Sequence, residues 1–296
     1  MNEQSKASLA AATTGILVGA AMVSTRAVAD AVSPQTLAFL RYLVGVVFLA
    51  LPALALARPR YTLRDAIAVS ALGVFQFGVL IVLLNYALRA LPAATCALVF
   101  SSLPLFTMAL AVAFKREDFS VGKLLGLLIA VAGLMLLLGY APAQPIESHG
   151  DGSLLAYAAL VGATLIGAAC SIMYRPYLRR YPVLPTSALA MCASVALLAA
   201  FCWLTDQSLT PVLSAGQWAQ VLFIGFSSGV GYLCLLWALA RAPASRVMAF
   251  QMLGPVTAAA IELIGSRQLP SWTFVISMAL VFSGLFIAQR AARGSA

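Results

Sequence analysis

The sequence predicts an all-α integral membrane protein of ten transmembrane helices, arranged as two inverted five-helix repeats. Three observations predict it. The chain is 62% hydrophobic and only 9% charged, whereas soluble domains carry about 25% charged residues, so there are too few charges to clothe a soluble surface. Its apolar residues fall into runs close to the roughly 20 residues that cross a bilayer, and short polar segments hold most of the charges. The proline pattern of one such run then recurs 151 residues later.

The first run, 9–29, follows the lone basic residue Lys6 and is too long for the hydrophobic region of a signal peptide, so it is read as a span. The second, 35–57, contains Arg41, and the third, 65–88, contains Gln76, Asn85 and Tyr86. The fourth, 93–114, starts after Pro92 and holds Pro104; the fifth, 120–140, includes the close-packing stretch GKLLG. A connection reading APAQPIESHGDG, rich in Pro, Gly and polar residues, then divides the chain into halves 1–146 and 147–296. The second half repeats the plan with spans 153–174, 186–204, 215–240, 244–265 and 271–290.

Lys and Arg set the orientation. With the N-terminus cytoplasmic, the inner segments hold Lys6, Arg58, Arg60, Arg64, Lys115, Arg116, Lys123, Arg175, Arg179, Arg180, Arg241, Arg246, Arg290 and Arg293. The outer ends hold only Arg26, Arg89 and Arg267. Cytoplasmic loops are enriched in Lys and Arg. Both termini are therefore expected inside, and residues 141–152 outside. The same placement explains the net charge of +9 without a nucleic-acid partner, since the basic residues form no stripe with aromatics.

Shifted by 151 residues, Pro92, Pro104, Ala109 and Gly133 fall on Pro243, Pro255, Ala260 and Gly284; upstream, Phe75 and Gly78 meet Phe226 and Gly229. Five spans per half is an odd number, so the second copy enters the membrane inverted, as in many secondary transporters. A proline inside a helix loses a backbone bond at a cost of roughly 3 kcal/mol. The carbonyls freed by Pro104 and Pro255 are acceptable where they face a wet cavity. Both helices are thus expected to kink around a central pathway.

The residues resemble those of the drug/metabolite transporter superfamily and its EamA-type members. LAFLRYLVGVVFLALP is similar to the family's second helix with its arginine, here Arg41, and LPAATCALVFSSLPLFTMALAVAF to its fourth. REDFSVGKLLGLLIAVAGLMLL resembles its acidic turn and fifth helix, with Glu117 at the family's usual glutamate; in the second copy Gln268 stands at that place. The resemblance implies a carrier of the bacterial inner membrane, often an exporter of amino acids or related metabolites, although the group includes importers.

Candidate pathway residues are Gln76, Tyr86, Ser101, Ser102, Ser227, Ser228, Tyr232, Trp237 and Gln251. Tyr86 and Trp237 equally suit an interfacial aromatic belt, and the serines equally suit bonds to their own helix. Two charges lie within runs. Arg41 either meets the solute or extends to the interface. Glu262 is expected to form a structural ion pair, with Arg41 or Arg267, rather than to carry a proton.

The five cysteines lie in apolar runs without a C-x-x-C pair, and the single histidine, His149, lies in the outer loop. No metal and no cofactor is expected. No H-E-x-x-H, G-x-S-x-G or paired intramembrane acids point to an enzyme, and no charged ring points to a channel. The expected partners are the lipid bilayer and a small neutral or zwitterionic solute, because a phosphorylated one would call for several intramembrane cations. A monomer is expected.

Overall fold

Ten helical spans traverse the computed structural model, which describes residues 3–54, 59–91, 93–139, 150–266 and 270–291; among these no strand occurs. The first two spans are Glu3–Val28 and Pro34–Leu54. The third is built from Leu63–Gly73, a wide turn at Val74–Val79 and Leu80–Ala90. The fourth joins Ala93–Ser101 to Leu103–Ala113, and the fifth is Val121–Leu137. The sixth is Gly150–Met173 with the short continuation Arg175–Leu178. Val183–Leu204 and Ala215–Leu239 follow. The ninth joins Ala244–Ala249 through a tight turn, Phe250–Met252, to Leu253–Ser266, and the tenth is Trp272–Ala291. Among the described residues, nine candidate spans reach 18 residues at apolar composition, and Val121–Leu137 adds a shorter one.

Local chemistry sets several starting points. Thr62 and Ser120 accept hydrogen bonds from the backbone N–H groups of Asp65 and Lys123, and Ser214 forms a reciprocal capping box with Gln217. Each satisfies N–H groups that have no partner within the helix. The first helix begins six residues before the predicted boundary. Glu3 and Lys6 pair at 2.8 Å, and Glu3 also meets Arg241 at 3.4 Å, so the polar turn is supported at the bundle end.

Where lipid surrounds a protein, helices associate through close contact of small residues, and the stretches GILVG (15–19), GKLLG (122–126) and GFSSG (225–229) do this. Gly15 and Gly19 face the carbonyls of Phe250 and Gly254; a Cβ at either would lie 2.3 Å from that oxygen. Gly225 and Gly229 lie against Arg41, Val44 and Gly45 of the second span. Gly122 meets Ala291, and Gly126 meets Gly284.

The principal span contacts are first with eighth and ninth, third with sixth and seventh, fourth with sixth, second with seventh and eighth, and fifth with tenth. Replacing every span by the one five places away maps this set onto itself. The detail also repeats. Gly133 abuts the Ser277 carbonyl and Gly284 the Gly126 carbonyl, and each contact becomes the other under the 151-residue shift.

Candidate functional site

The third, fourth and ninth spans are interrupted partway along their length, and polar or aromatic candidates cluster at the interruptions. In the third span the Leu80 N–H reaches back five residues to the Phe75 carbonyl. This wide turn places Gln76, half-buried, beside buried Phe77. Such single wide turns inside helices occur often at functional sites.

The fourth span breaks at Ser102 and the ninth at Phe250–Met252, which contains Gln251. The two prolines therefore do not bend continuous helices. Pro104 lies in the first turn of Leu103–Ala113, and Pro255 is the third residue of Leu253–Ser266. Their missing N–H groups fall where a helix start has no use for them. An apolar cavity of about 400 Å³ lies along the fourth and fifth spans, lined by Leu105, Met108, Ala109 and Leu128, and one of about 150 Å³ with polar groups lies elsewhere, lined by Gln35, Ala38, Asn85, Tyr86, Leu198 and Phe201. Within it, Gln35 leaves its side-chain oxygen buried and without a hydrogen bond.

A buried aromatic chain links four spans. Tyr42 of the second meets Phe77 of the third with ring centroids 4.8 Å apart. Phe77 meets Tyr232 of the eighth edge-on at 4.5 Å, and Tyr232 meets Tyr174 of the sixth at 6.1 Å. Tyr232 and Tyr174 are 4% and 1% exposed, and their hydroxyls have only each other nearby, without a well-formed hydrogen bond to any described group. Burying a hydroxyl unpaired is unfavourable by roughly 1–3 kcal/mol, so an internal pair of them is unusual.

Arg41 adjoins this chain. Its Nε donates to the Ser228 hydroxyl at 2.5 Å, and that hydroxyl donates to the Ile224 carbonyl. The guanidinium carbon lies 5.6 Å from the centre of the Tyr42 ring. Ser228 is the 14th residue of the 25-residue eighth span, so Arg41 reaches toward mid-depth rather than out to the interface.

Other candidates take different places. Ser101 and Ser102 donate to the carbonyls of Ala97 and Val99 in their own helix. Ser227, also without a partner, lies one turn before Gly231, whose carbonyl accepts from Thr14 of the first span. Tyr86 is 47% exposed at the cavity it shares with Gln35, whereas Trp237 lies at the opposite end of the bundle, under the Arg241 guanidinium at 3.8 Å. Glu262 corrects an expectation. It pairs at 3.1 Å with Arg26, not with Arg41, and both side chains are more than half exposed at the bundle rim. Arg267, Gln268, Pro92 and His149 lie outside the described residues.

The end of the bundle that holds Glu3 carries a second polar group. The Glu117 carboxylate accepts from the Ser245 backbone N–H at 3.2 Å and from the Ser245 hydroxyl, and Lys123 pairs with it at 3.5 Å. Arg246 donates to Gln289 at 2.6 Å and to Ser8. These contacts tie the ninth span's start to the fourth–fifth connection, the tenth span and the first. Sequence reasoning singled out Glu117 only as a family residue. Tyr42, Phe77 and Tyr174 were not singled out at all, although Phe77 is the repeat mate of Ser228.

The model of the EamA-like transporter family matches residues 5–139 and again 154–289. An uncharacterized transporter of Archaeoglobus fulgidus is 25% identical over 260 residues, 87% of this chain and 89% of the relative. A probable terminal-alkyne amino-acid exporter of Streptantibioticus cattleyicolor is 25% identical over 98% of this chain and 95% of its own. A crystal structure superposes with a TM-score of 0.83 at 22% identity, covering 98% of both chains, and shows the same fold.

Proposed function

The chain belongs to the EamA-like transporter family, and from that premise we propose that it is a secondary carrier exporting small zwitterionic or neutral metabolites, amino acids first, across a bacterial inner membrane. It works by alternating access as a monomer, without metal or cofactor. Its halves, 1–146 and 147–296, are inverted five-helix repeats, and both termini are cytoplasmic.

The observation that carries this reading is the set of three interrupted spans beside the Arg41–Ser228 pair and the buried tyrosine cluster. Interrupted helices between two repeats are where carriers bind solutes. The exchange of span contacts between halves supports the repeat. A relative named as a probable amino-acid exporter supports the solute class. Arg60, Arg64, Lys115, Arg116, Lys123, Arg175, Arg179, Arg180, Arg241 and Arg290 belong to the Glu3 end, and their excess supports its being cytoplasmic.

The test is counterflow of radiolabelled leucine and phenylalanine in proteoliposomes, with and without a pH gradient. Uptake is expected to accelerate with unlabelled solute inside, to be insensitive to the gradient, and to persist in Glu262→Gln, because an exposed ion pair contributes at most about 1 kcal/mol. Concentrative uptake lost in that variant would establish proton coupling through Glu262. Flux indifferent to internal solute would indicate a channel.

Orientation is tested separately with a cysteine replacing Ser148 in a background free of the five native cysteines. Labelling by an impermeant maleimide is expected from the periplasmic side. Labelling from the cytoplasmic side alone would invert the topology.

A further inference from the structure

An arginine deep in a membrane span needs a counter-charge, because an unpaired charge there is unfavourable by several kcal/mol. Arg41 is in that position. Its head group meets Ser228 near the middle of the eighth span, so it does not escape to the interface. No carboxylate pairs with it among the described residues. The acid best placed in the sequence to do so, Glu262, is engaged by Arg26. The described contacts of Arg41 are one neutral hydroxyl, through Nε, and the face of its neighbour's ring. Its two terminal nitrogens, the fork that suits a carboxylate, make no hydrogen bond to any described residue.

Two further observations bear on the same spot. Tyr232 is one helical turn from Ser228 on the eighth span, and its buried hydroxyl and that of Tyr174 across from it have only each other, without a well-formed hydrogen bond. Tyr42, next to Arg41 in the chain, closes the far side through Phe77. A cation with no anion among the described residues, two hydroxyls that have only each other and four aromatic rings thus converge between the second, third, sixth and eighth spans.

We propose that Arg41 is the receptor for a carboxylate on the solute. Ser228 holds the guanidinium in the solute-free carrier, and the hydroxyls of Tyr232 and Tyr174 take the solute's remaining polar group while the rings enclose an apolar side chain. This rests on the carrier reading and narrows it: zwitterionic or monoanionic carboxylates are solutes, and uncharged amides or simple amines are not. The ligand supplies the anion that no described residue supplies, and binding therefore neutralises the intramembrane charge before any conformational change.

The experiment reads binding apart from transport, so that the two readings fail separately. Purified protein in detergent is titrated with phenylalanine, 3-phenylpropanoate, phenylalaninamide and 2-phenylethylamine, and the shift in unfolding temperature is followed. The two carboxylates are expected to stabilise the wild type with apparent affinities at least about tenfold above those of the amide and the amine, since a site built for a charged partner rejects an analogue lacking it. Arg41→Gln is expected to abolish this preference, Arg41→Lys to weaken it severalfold by losing the fork, and Ser228→Ala to retain it. If Arg41→Gln fails to fold, the ligand series on the wild type and Arg41→Lys still decides. Equal responses to all four compounds, no response to the carboxylates, or an undiminished preference in Arg41→Lys and Arg41→Gln would overturn the assignment. Carboxylate binding without counterflow would leave it standing and remove the carrier reading instead.

Discussion

Glu117→Ala is expected to destabilise the protein strongly, by about 3–5 kcal/mol, the usual consequence of breaking a buried ion pair from one side. The Glu117 and Lys123 side chains are only 5% and 6% exposed, so neither charge is rescued by water when the other is lost. The carboxylate also accepts from the Ser245 N–H and hydroxyl, and its removal leaves those donors unmatched. Replacing both charges, as in Glu117→Ala with Lys123→Leu, is expected to recover most of the loss, because the unpaired lysine accounts for most of it. Unfolding temperatures of the two single variants and the double variant measure the coupling. Additive effects, or a Glu117→Ala loss below about 1 kcal/mol, would show that the pair is not the fastening described.

The same residues bear on how a carrier would move. Shifting Glu117 and Ser245 by 151 residues in opposite directions gives Gln268 and Ala94. In the sequence, the Glu117–Ser245 pair therefore has no chemical counterpart at the repeat-related positions. In the alternating-access reading proposed above, the Glu3 end opens only when the Glu117–Ser245 contact is broken.

The spans were legible because hydropathy and length are properties of the chain alone. Their predicted boundaries lie within a few residues of the helices, apart from the first, where Glu3 and Lys6 are supported by each other and by Arg241. Pro104 and Pro255 were read as kinks in continuous helices, whereas the chain breaks before each proline instead of bending at it. The wide turn at Val74–Val79 had no such marker, since no proline accompanies it. The partner of Glu262 was misread because several arginines suit it by sequence position and only the fold brings Arg26 within 3.1 Å. Tyr42, Phe77 and Tyr174 stayed hidden for a related reason. An aromatic in an apolar run looks the same whether it faces lipid or another aromatic, and only the convergence of four spans distinguishes them.

Gly73→Ala is expected to be among the most damaging single-methyl additions, although alanine favours helices by up to about 1 kcal/mol over glycine. A Cβ at Gly73 would lie 2.0 Å from the Ala190 carbonyl oxygen and 2.6 Å from its carbon. These are backbone atoms of the seventh span and have no rotamer to change, so the third span must move away. Overpacking of this kind destabilises by roughly 1–3 kcal/mol or more. Gly78 offers an internal comparison, because its added methyl would meet only the movable Leu197 side chain at 2.4 Å; Gly162 has nothing nearer than Leu83 at 3.7 Å. The expected order of unfolding temperatures is Gly162→Ala at or above wild type, then Gly78→Ala, then Gly73→Ala. Gly73 also immediately precedes the wide turn that sets Phe77 between Tyr42 and Tyr232. Gly73→Ala should therefore lose solute binding as well as stability, whereas Gly162→Ala should lose neither. Equal stability of Gly73→Ala and Gly162→Ala would mean that the third and seventh spans do not approach so closely, and the placement of the aromatic chain would fall with that contact.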